Sequence, residues 1–580
     1  MPEDDGNSVT PVTLVDWDYW LNRWPDQPVA LTRANAADGY PCSLTPLSQD
    51  LVLTFEEAGV RRFYFEGLKT LRPEDAPEPY MQAFYGLVYL NADQLAGLGE
   101  ATPGSSRQAM YEAFFGLSRD PDYRPPRAGI GQRLARALKG PMVLPRMLRL
   151  AKAVEARIAS QVAAIEALRP PQGPVSDETC RQWLLGLEAI HVEVWESLMQ
   201  GAGLSSGFFE ACRKAVGKLA ADSGGDLNNR LHVGLGGNES AEAGRAIRQL
   251  AEVAGAEVAA RRALEAGGDA ESVRRASPAF AARLDDVLRR YGYRAAAELE
   301  LANHSWRANP DQLVDIVRVE LRHPPATDRS AAIRQEAEAE LERRLNVLTR
   351  PLAHAVLRKS RWQMAMRENS KIPVVLLFDE LRRILEIQAP RLVQRGVLPD
   401  LEAIHYLLYE ELKAVMAGQT GPGPDELSRR RTEHHRCLTL QLPELVEGGP
   451  GWIRPLDDAF IRSRGLLPPE KVDEHTTRLQ GVGASPGTIT AVARVLDDPL
   501  GEFEPGDVLV ARTVDPGWAP ILACAGAVVL DIGGLLSHGA VVARELGIPC
   551  VVNVKAATRL ARSGEKITVD GSTGQVVLAS

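Results

Sequence analysis

The sequence predicts a multidomain protein: a largely α-helical domain with a small mixed part at its N-terminus, followed by an α/β domain. Three observations predict this. From about Gln108 to Gly449, apolar residues recur with a 3.6-residue period among Ala, Leu, Arg and Glu, the mark of amphipathic helices. From Gln480 to Ser580, short apolar runs alternate with Gly, Pro and Asp turns around a single helical segment. Between the two blocks, Gly465–Leu479 has the Pro and charge content of a linker. Extended at about 3.3 Å per residue, it would reach roughly 50 Å, enough to carry a domain between sites. The division expected is a disordered tail over 1–10, the helical domain over 11–464, the linker over 465–479 and the α/β domain over 480–580.

The whole chain bounds its function class. Its 580 residues are 45% hydrophobic and 25% charged, as in a globular protein with a full core. A net charge of −9, with arginines scattered over helical faces, argues against a nucleic-acid partner. The start, Met1-Pro-Glu-Asp-Asp-Gly6, is acidic and has no apolar core, so it is no signal peptide. The longest uncharged apolar run, near Gly517–Leu530, is too short to span a membrane. Six cysteines stand far apart without CxxC spacing, which fits reduced thiols and a cytoplasmic location.

The elements follow in order. From Val12 to Leu98, short apolar runs alternate with turns: Ala30–Asn35, Cys42–Leu47 and Phe84–Asn91. The helical block is clearest over Lys139–Leu168, Gln182–Gly201 and Glu239–Glu265. Gly and Ser clusters at Gly201–Gly207, Gly224-Gly225 and Gly234–Asn238 are expected to interrupt it as lids or acceptor loops. None has the setting of a P-loop or a dinucleotide fingerprint. Tyr291–Glu300 and Asn303–Pro310 form the most chemically loaded stretch of the block. His405, among apolar neighbours, reads as a core histidine, and His434-His435 in an Arg-rich helix read as surface residues. In the α/β block, strands are expected over Thr490–Leu496, Asp507–Thr513, Ala527–Leu530, Ile548–Val554, Lys566–Val569 and Gln575–Leu578.

One histidine stands out. After the strand ending at Leu530, Gly533-Gly534 supply a tight turn and Ser537 an N-cap. A helix then runs through Ala540, Val541, Val542, Ala543 and Leu546 until Gly547 and Pro549 stop it. His538 therefore opens a helix, where free N–H groups and the positive helix end favour an anion by roughly 0.3–1 kcal/mol. No Gly-x-Ser-x-Gly elbow surrounds it. No second histidine lies nearby for a metal site, and none is expected.

The order Gly533-Gly534, Ser537-His538-Gly539 and Ala543-Arg544-Glu545 on strand, turn, helix and strand resembles the phosphohistidine segment of phosphoenolpyruvate-utilising enzymes, with rifampin phosphotransferases nearest. Asp515–Pro520 resembles the family's turn after a strand, with Thr513 before it. Further upstream, Thr32, Arg33, Asn35, Thr45 and Pro46 resemble the start of the family's substrate domain. Gly292, Arg294, Glu298, Glu300, Trp306 and Pro310 match another segment, except that Tyr293 stands where the family has histidine and Ala295 where it has glycine. Arg367-Glu-Asn-Ser-Lys371 and Arg395–Asp400 resemble later parts of that domain.

The resemblance implies a swivelling phosphohistidine domain in which His538 carries a phosphoryl group. Gly534, Ser537, Gly539, Thr513 and Arg544 would support it, Arg544 if it turns back towards the first helical turn rather than outward. Arg33, Asn35, Arg294, Glu298, Glu300, Arg367 and Lys371 are acceptor-site candidates. Arg33 and Asn35 either brace a turn or grip the incoming group, and Arg294 with the glutamates is either an internal ion-pair network or the acceptor site. With Tyr293 in the histidine position, Glu298 or Glu300 is the expected base if burial raises its pKa.

The family's ATP-grasp domain would end where this sequence starts. The expectation is therefore a split dikinase-type phosphotransferase that binds no cofactor itself, with ATP and Mg²⁺ on a separate ATP-grasp partner. The β-phosphoryl of ATP would pass to His538, with release of AMP and phosphate, and then to a hydroxyl of a small hydrophobic acceptor. The alternatives are a dehydratase that phosphorylates and then eliminates, and a ligand-binding protein with an idle carrier domain.

Overall fold

The computed structural model describes residues 19–580 except 34–35, 38, 70–73, 75–77, 102–105, 116, 118–119, 121, 125–129, 172, 220–225, 238, 323–329, 441, 469–472, 474, 498–500, 515–517, 536 and 580. Two compact units result, 1–146 with 387–470, and 147–386 with 471–580. The helical block is thus divided: 147–386 forms one unit with the α/β block, and 387–470 forms the other with the N-terminal mixed part. The expected tail over 1–10 lies outside the described residues.

The first unit is built on a five-stranded antiparallel sheet, ordered Met81–Phe84, Leu87–Asn91, Val29–Thr32, Leu445–Gly449, Trp452–Pro455. Its two-residue side-chain period fills two cores. Leu31 packs with Tyr89, Val446 and Ile453, while its neighbour Ala30 packs with Ala92, Tyr111 and Ile461. The apolar run 84–91, which reads as one strand, turns back on itself at Tyr85-Gly86, both with positive φ (52° and 77°). That pair of left-handed residues is the two-residue hairpin geometry matched to sheet twist. His434 corrects its expected surface position. It shares a buried helical stripe with Leu427, Arg430 and Cys437 and lies 3.2 Å from the Ser43 carbonyl, whereas His435 is exposed. His405 is half-buried in the short turn Glu402–Tyr406.

In the second unit, helix Asp177–Leu219 runs unbroken through Gly201–Gly207, where an interruption was expected. Close packing explains Gly201. A β-carbon there would lie 2.1 Å from Ser370 Oγ and 3.2 Å from the Met366 carbonyl, so glycine lets helix Arg350–Asn369 approach. Gly224-Gly225 lie outside the described residues. Helices Glu239–Ala256, Pro278–Tyr291 and Asp311–Arg322 share a core of Leu250, Phe280, Leu284, Tyr291, Trp306 and Val314. Ser277 caps the second of these by accepting from Phe280 N, with Pro278 at the first position.

The α/β part carries an eight-stranded sheet. Its order is Arg478–Gln480, Gln575–Val577, Lys566–Asp570, Thr488–Val495, Val508–Ala511, Ala527–Leu530, Cys550–Val552, Val482–Ser485. Four neighbouring strands, 488–495 through 550–552, are parallel and the other pairings antiparallel. All six expected strands are present, and two short ones, 478–480 and 482–485, add to them. Alternating residues again face two cores, Val528 and Leu530 to one, Ala527 and Val529 to the other. No described helix is long and apolar enough to cross a membrane. None of the six cysteines is in a disulfide among the described residues.

Candidate active site

His538 occupies the first position of helix His538–Leu546, which joins the parallel strands Ala527–Leu530 and Cys550–Val552. The crevice beyond the carboxyl ends of parallel strands is where α/β sheets place ligands. Gly533 makes the turn with φ 141°, and Gly547 ends the helix in the left-handed region at φ 68°. The Gly534 carbonyl accepts from Ser537 N at 3.0 Å. Ser537 takes the N-cap position, yet its buried hydroxyl makes no cap bond and has no hydrogen-bond partner among the described residues. Gly539 packs the helix onto the sheet: a β-carbon there would meet Leu530 and Val514 side chains at 2.6 Å. Thr513 is half-buried two residues after strand Val508–Ala511.

Arg544 does turn back along the helix. Its Nε donates to the Ala540 carbonyl at 3.2 Å and its Nη2 to the Leu535 carbonyl, while the guanidinium lies over the Phe209 ring. Nη1 is buried with no hydrogen-bond partner among the described residues. Burial and the nearby Arg367 push its pKa down to about 10.

His538 is 3% exposed, and the charges that act on it are Lys371, Glu368, Arg294 and Arg367. Three residues singled out in the sequence, 294, 367 and 371, are thus among the charges that act on this histidine. Each of the three pairs with a carboxylate. Glu368, 3% exposed, pairs with Arg367 and with Lys371 Nζ at 3.2 Å. Burial alone would raise the Glu368 pKa, but Lys371, Arg367 and His538 outweigh it and hold it at about 2. Arg294 pairs with Glu298 at 3.1 Å, and its neighbour Tyr293 donates its phenol proton to Glu239.

The segment from Gly292 to Arg307 is braced as a loop. Trp306 N donates to the Arg294 carbonyl and Arg307 N to the Gly292 carbonyl, each at 2.8 Å, and buried Arg382 donates to the carbonyls of Glu298 and Glu300. Glu300 spends a carboxylate oxygen on Ala302 N at 2.8 Å. Arg33 belongs to the first unit, where it is buried and donates to the Tyr40 carbonyl at 2.8 Å, the bracing role. Asn35 lies outside the described residues. Glu368 and Glu239 are the site carboxylates the sequence reading did not single out. The only signal for Glu368 is its place inside Arg367-Glu-Asn-Ser-Lys371.

The glycine loop 234–237 meets the other end of the histidine helix. Gly234, Gly236 and Gly237 have φ between 58° and 69°, and this backbone turns Gly234 N onto the Arg544 carbonyl at 3.1 Å and Gly236 N onto Glu545 Oε2 at 3.2 Å. Donors from the loop thus reach the Arg544 carbonyl, which Gly547 N also caps at 3.2 Å, and the Glu545 carboxylate. A hydrogen bond to a charged group contributes about 1.5–3 kcal/mol. Glu545→Ala is therefore expected to loosen this contact at least tenfold, read as faster amide exchange over 234–237 with the rest of the unit unchanged.

Burial, then Lys371, lower the His538 pKa to about 3 against an ordinary 6.5, with Glu368 opposing and Arg294 and Arg367 adding. The packed histidine is thus a neutral base. It binds fewer protons packed than exposed, so its contribution to packing is full above pH 6.5 and falls by about 1.4 kcal/mol per pH unit below it, until about pH 3. Amide exchange in helix His538–Leu546 is expected to accelerate as pH drops below 6.5 once the intrinsic rate is divided out, and His538→Asn is expected to lack that component.

With this geometry in place, known proteins give a consistent match. Residues 503–574 match the family profile of the PEP-utilising enzyme mobile domain, and residues 194–368 that of the rifampicin phosphotransferase fourth domain. Over these two stretches the chain is similar to rifampicin phosphotransferases and PEP-utilising enzymes. It is 33% identical over 320 residues to a rifampicin phosphotransferase of Streptomyces sp, covering 53% of this chain and 35% of that one. It is 30% identical over 299 residues to the prodigiosin synthesizing transferase PigC of Serratia marcescens, covering 50% and 32%. The rifampicin phosphotransferase of Bacillus cereus is 29% identical over 310 residues, covering 50% and 34%. The rifampicin phosphotransferase-like stretch therefore spans about a third of these relatives' length. The two profiles contain His538 on one side and Arg294, Glu298, Arg367 and Glu368 on the other.

Proposed function

We propose that this chain is the phosphoryl-carrying and acceptor-binding component of a dikinase-type phosphotransferase. His538 takes the β-phosphoryl group of ATP held with Mg²⁺ by a separate ATP-grasp protein, and AMP and phosphate are released. It then passes the group to a hydroxyl of a small molecule. The observation that carries this reading is one neutral, buried imidazole at a helix start, beside Arg294, Arg367 and Lys371. A neutral imidazole has a lone pair for attack on phosphorus. Once loaded, it brings a dianionic group to three cations already in position, the arrangement that stabilises a transferring phosphoryl group most strongly. Arg294 and Arg367 offer planar forks for equatorial oxygens, and Lys371 a point charge. Glu368 fixes the directions of Arg367 and Lys371 before the phosphoryl group arrives.

The relatives' names cover a drug-modifying phosphotransferase and a synthesizing transferase, so the family match leaves the acceptor open. The test is localisation of the phosphate. The chain is incubated with phosphoramidate, and separately with [β-³²P]ATP and a candidate ATP-grasp protein, then mapped by mass spectrometry at alkaline pH. A single acid-labile phosphate on His538 is expected from both donors. Phosphate on another residue, or none with either donor, ends the reading.

A further inference from the structure

We propose that the cavity lined by Gly237, Glu239, Glu242, Arg290, Tyr291 and Asn369 receives the acceptor, and that Glu239 is the base that takes the proton from its hydroxyl. The proposal rests on the phosphotransfer reading above and adds to it the acceptor's place and chemical class. The cavity is about 330 Å³, within the range that holds a small molecule. It is linked to the phosphoryl site through one carboxylate. Glu239 borders it and accepts the proton of Tyr293 OH, and Arg294, the next residue, acts on both Glu239 and His538.

Elimination among the neighbouring acids favours the same residue. Tyr293 cannot be the base: burial, then its acidic neighbours against Arg294, raise its pKa well above the ordinary 10, and the phenol that keeps its proton donates a hydrogen bond to Glu239. Glu298 is held by Arg294, Glu300 by Ala302 N, Glu368 by Arg367 and Lys371, and Glu242 pairs with Arg245 at 3.8 Å. Glu239 has no ion pair among the described residues and faces open space. Burial raises its pKa from the ordinary carboxylate value, against the hydrogen bond from Tyr293, which makes it a stronger base.

In the step, the acceptor oxygen forms a bond to phosphorus as its proton moves to the Glu239 carboxylate. The N–P bond breaks, and its electron pair returns to the ring nitrogen of an imidazole protonated on its other nitrogen, leaving neutral His538. Glu239 then releases its proton to water. The lining also sets the class of acceptor. Two carboxylates, a guanidinium, an amide and glycine backbone surround the cavity beside one aromatic ring, Tyr291, and the polar groups lose free energy unless the ligand answers them with hydrogen bonds. The acceptor is therefore a polar alcohol with several hydrogen-bonding groups, in place of the hydrophobic molecule expected from the sequence.

The test loads His538 with phosphoramidate, removes the reagent, and follows phosphohistidine loss by ³¹P NMR in water, in glycerol and in butan-1-ol at equal concentration. Wild type is expected to transfer faster to glycerol than to butan-1-ol. Glu239→Gln is expected to keep its phosphohistidine about 10²-fold longer in water and glycerol, with Glu239→Asp between them. The wild-type rate should fall as pH drops through a raised carboxyl pKa, a limb missing in Glu239→Gln. In Tyr293→Phe, which removes the proton donor to Glu239, the limb should move to higher pH. His538 left unphosphorylated would remove the underlying reading. His538 loaded but lost at the wild-type rate from Glu239→Gln would overturn the base, as would an unmoved limb in Tyr293→Phe should Glu239→Gln not fold. Transfer to butan-1-ol as fast as to glycerol would overturn the polar class.

Discussion

His538→Asn is expected to lower phosphoryl transfer by more than about 10⁴-fold while the chain stays folded, because the proposed covalent relay loses its nucleophile. Ser537 precedes it in sequence, but a neutral hydroxyl is a poor nucleophile towards phosphorus without a base. The fold should tolerate the change. His538 is packed as a neutral ring, so the cost is that of a smaller polar side chain in the same space, about 1–2 kcal/mol. The measurement pairs single-turnover transfer with a thermal melt. Loss of transfer with a melting point within a few degrees of wild type supports the relay, and transfer above a hundredth of wild type removes it.

The parts of the site that repeat locally were legible in the sequence, and the parts created by long-range packing were not. The strand, turn and helix around His538 could be read because burial, glycine and proline act within a few residues of one another. The same reasoning placed all six strands of the α/β part. It failed at Gly201, where glycine serves a neighbouring helix 165 residues away in sequence rather than a local break. It failed at His434, whose stripe partners share one helix face but whose covering carbonyl comes from Ser43. Arg294, Arg367 and Lys371 stand in motifs, so the sequence singles them out, and all three are among the charges that act on His538. Glu368 and Glu239 had no motif, since a glutamate in a helical sequence reads as solvated until its neighbours in space are known. Their surroundings decide their chemistry: Lys371 and Arg367 hold one as a counter-ion at about pKa 2 against its burial, and burial raises the other.

Arg367→Met is the second large effect, and it separates stability from chemistry. Glu368 is buried and its charge is balanced by Arg367 and Lys371. Removing one partner of a buried pair typically costs about 3–5 kcal/mol, because the remaining charge is left poorly compensated. The same substitution removes a donor from the transferring phosphoryl group, a loss of about 10²–10³ in rate by analogy with other preorganised donors. Adding Glu368→Gln should distinguish the two. The neutral amide needs no counter-ion, so the double variant is expected to recover most of the lost melting temperature while transfer stays at least 10²-fold below wild type. If stability and transfer recover together, Arg367 serves only to neutralise Glu368. If neither recovers, the pair does not act as an isolated unit, and the coupling must run through Lys371 or Arg294.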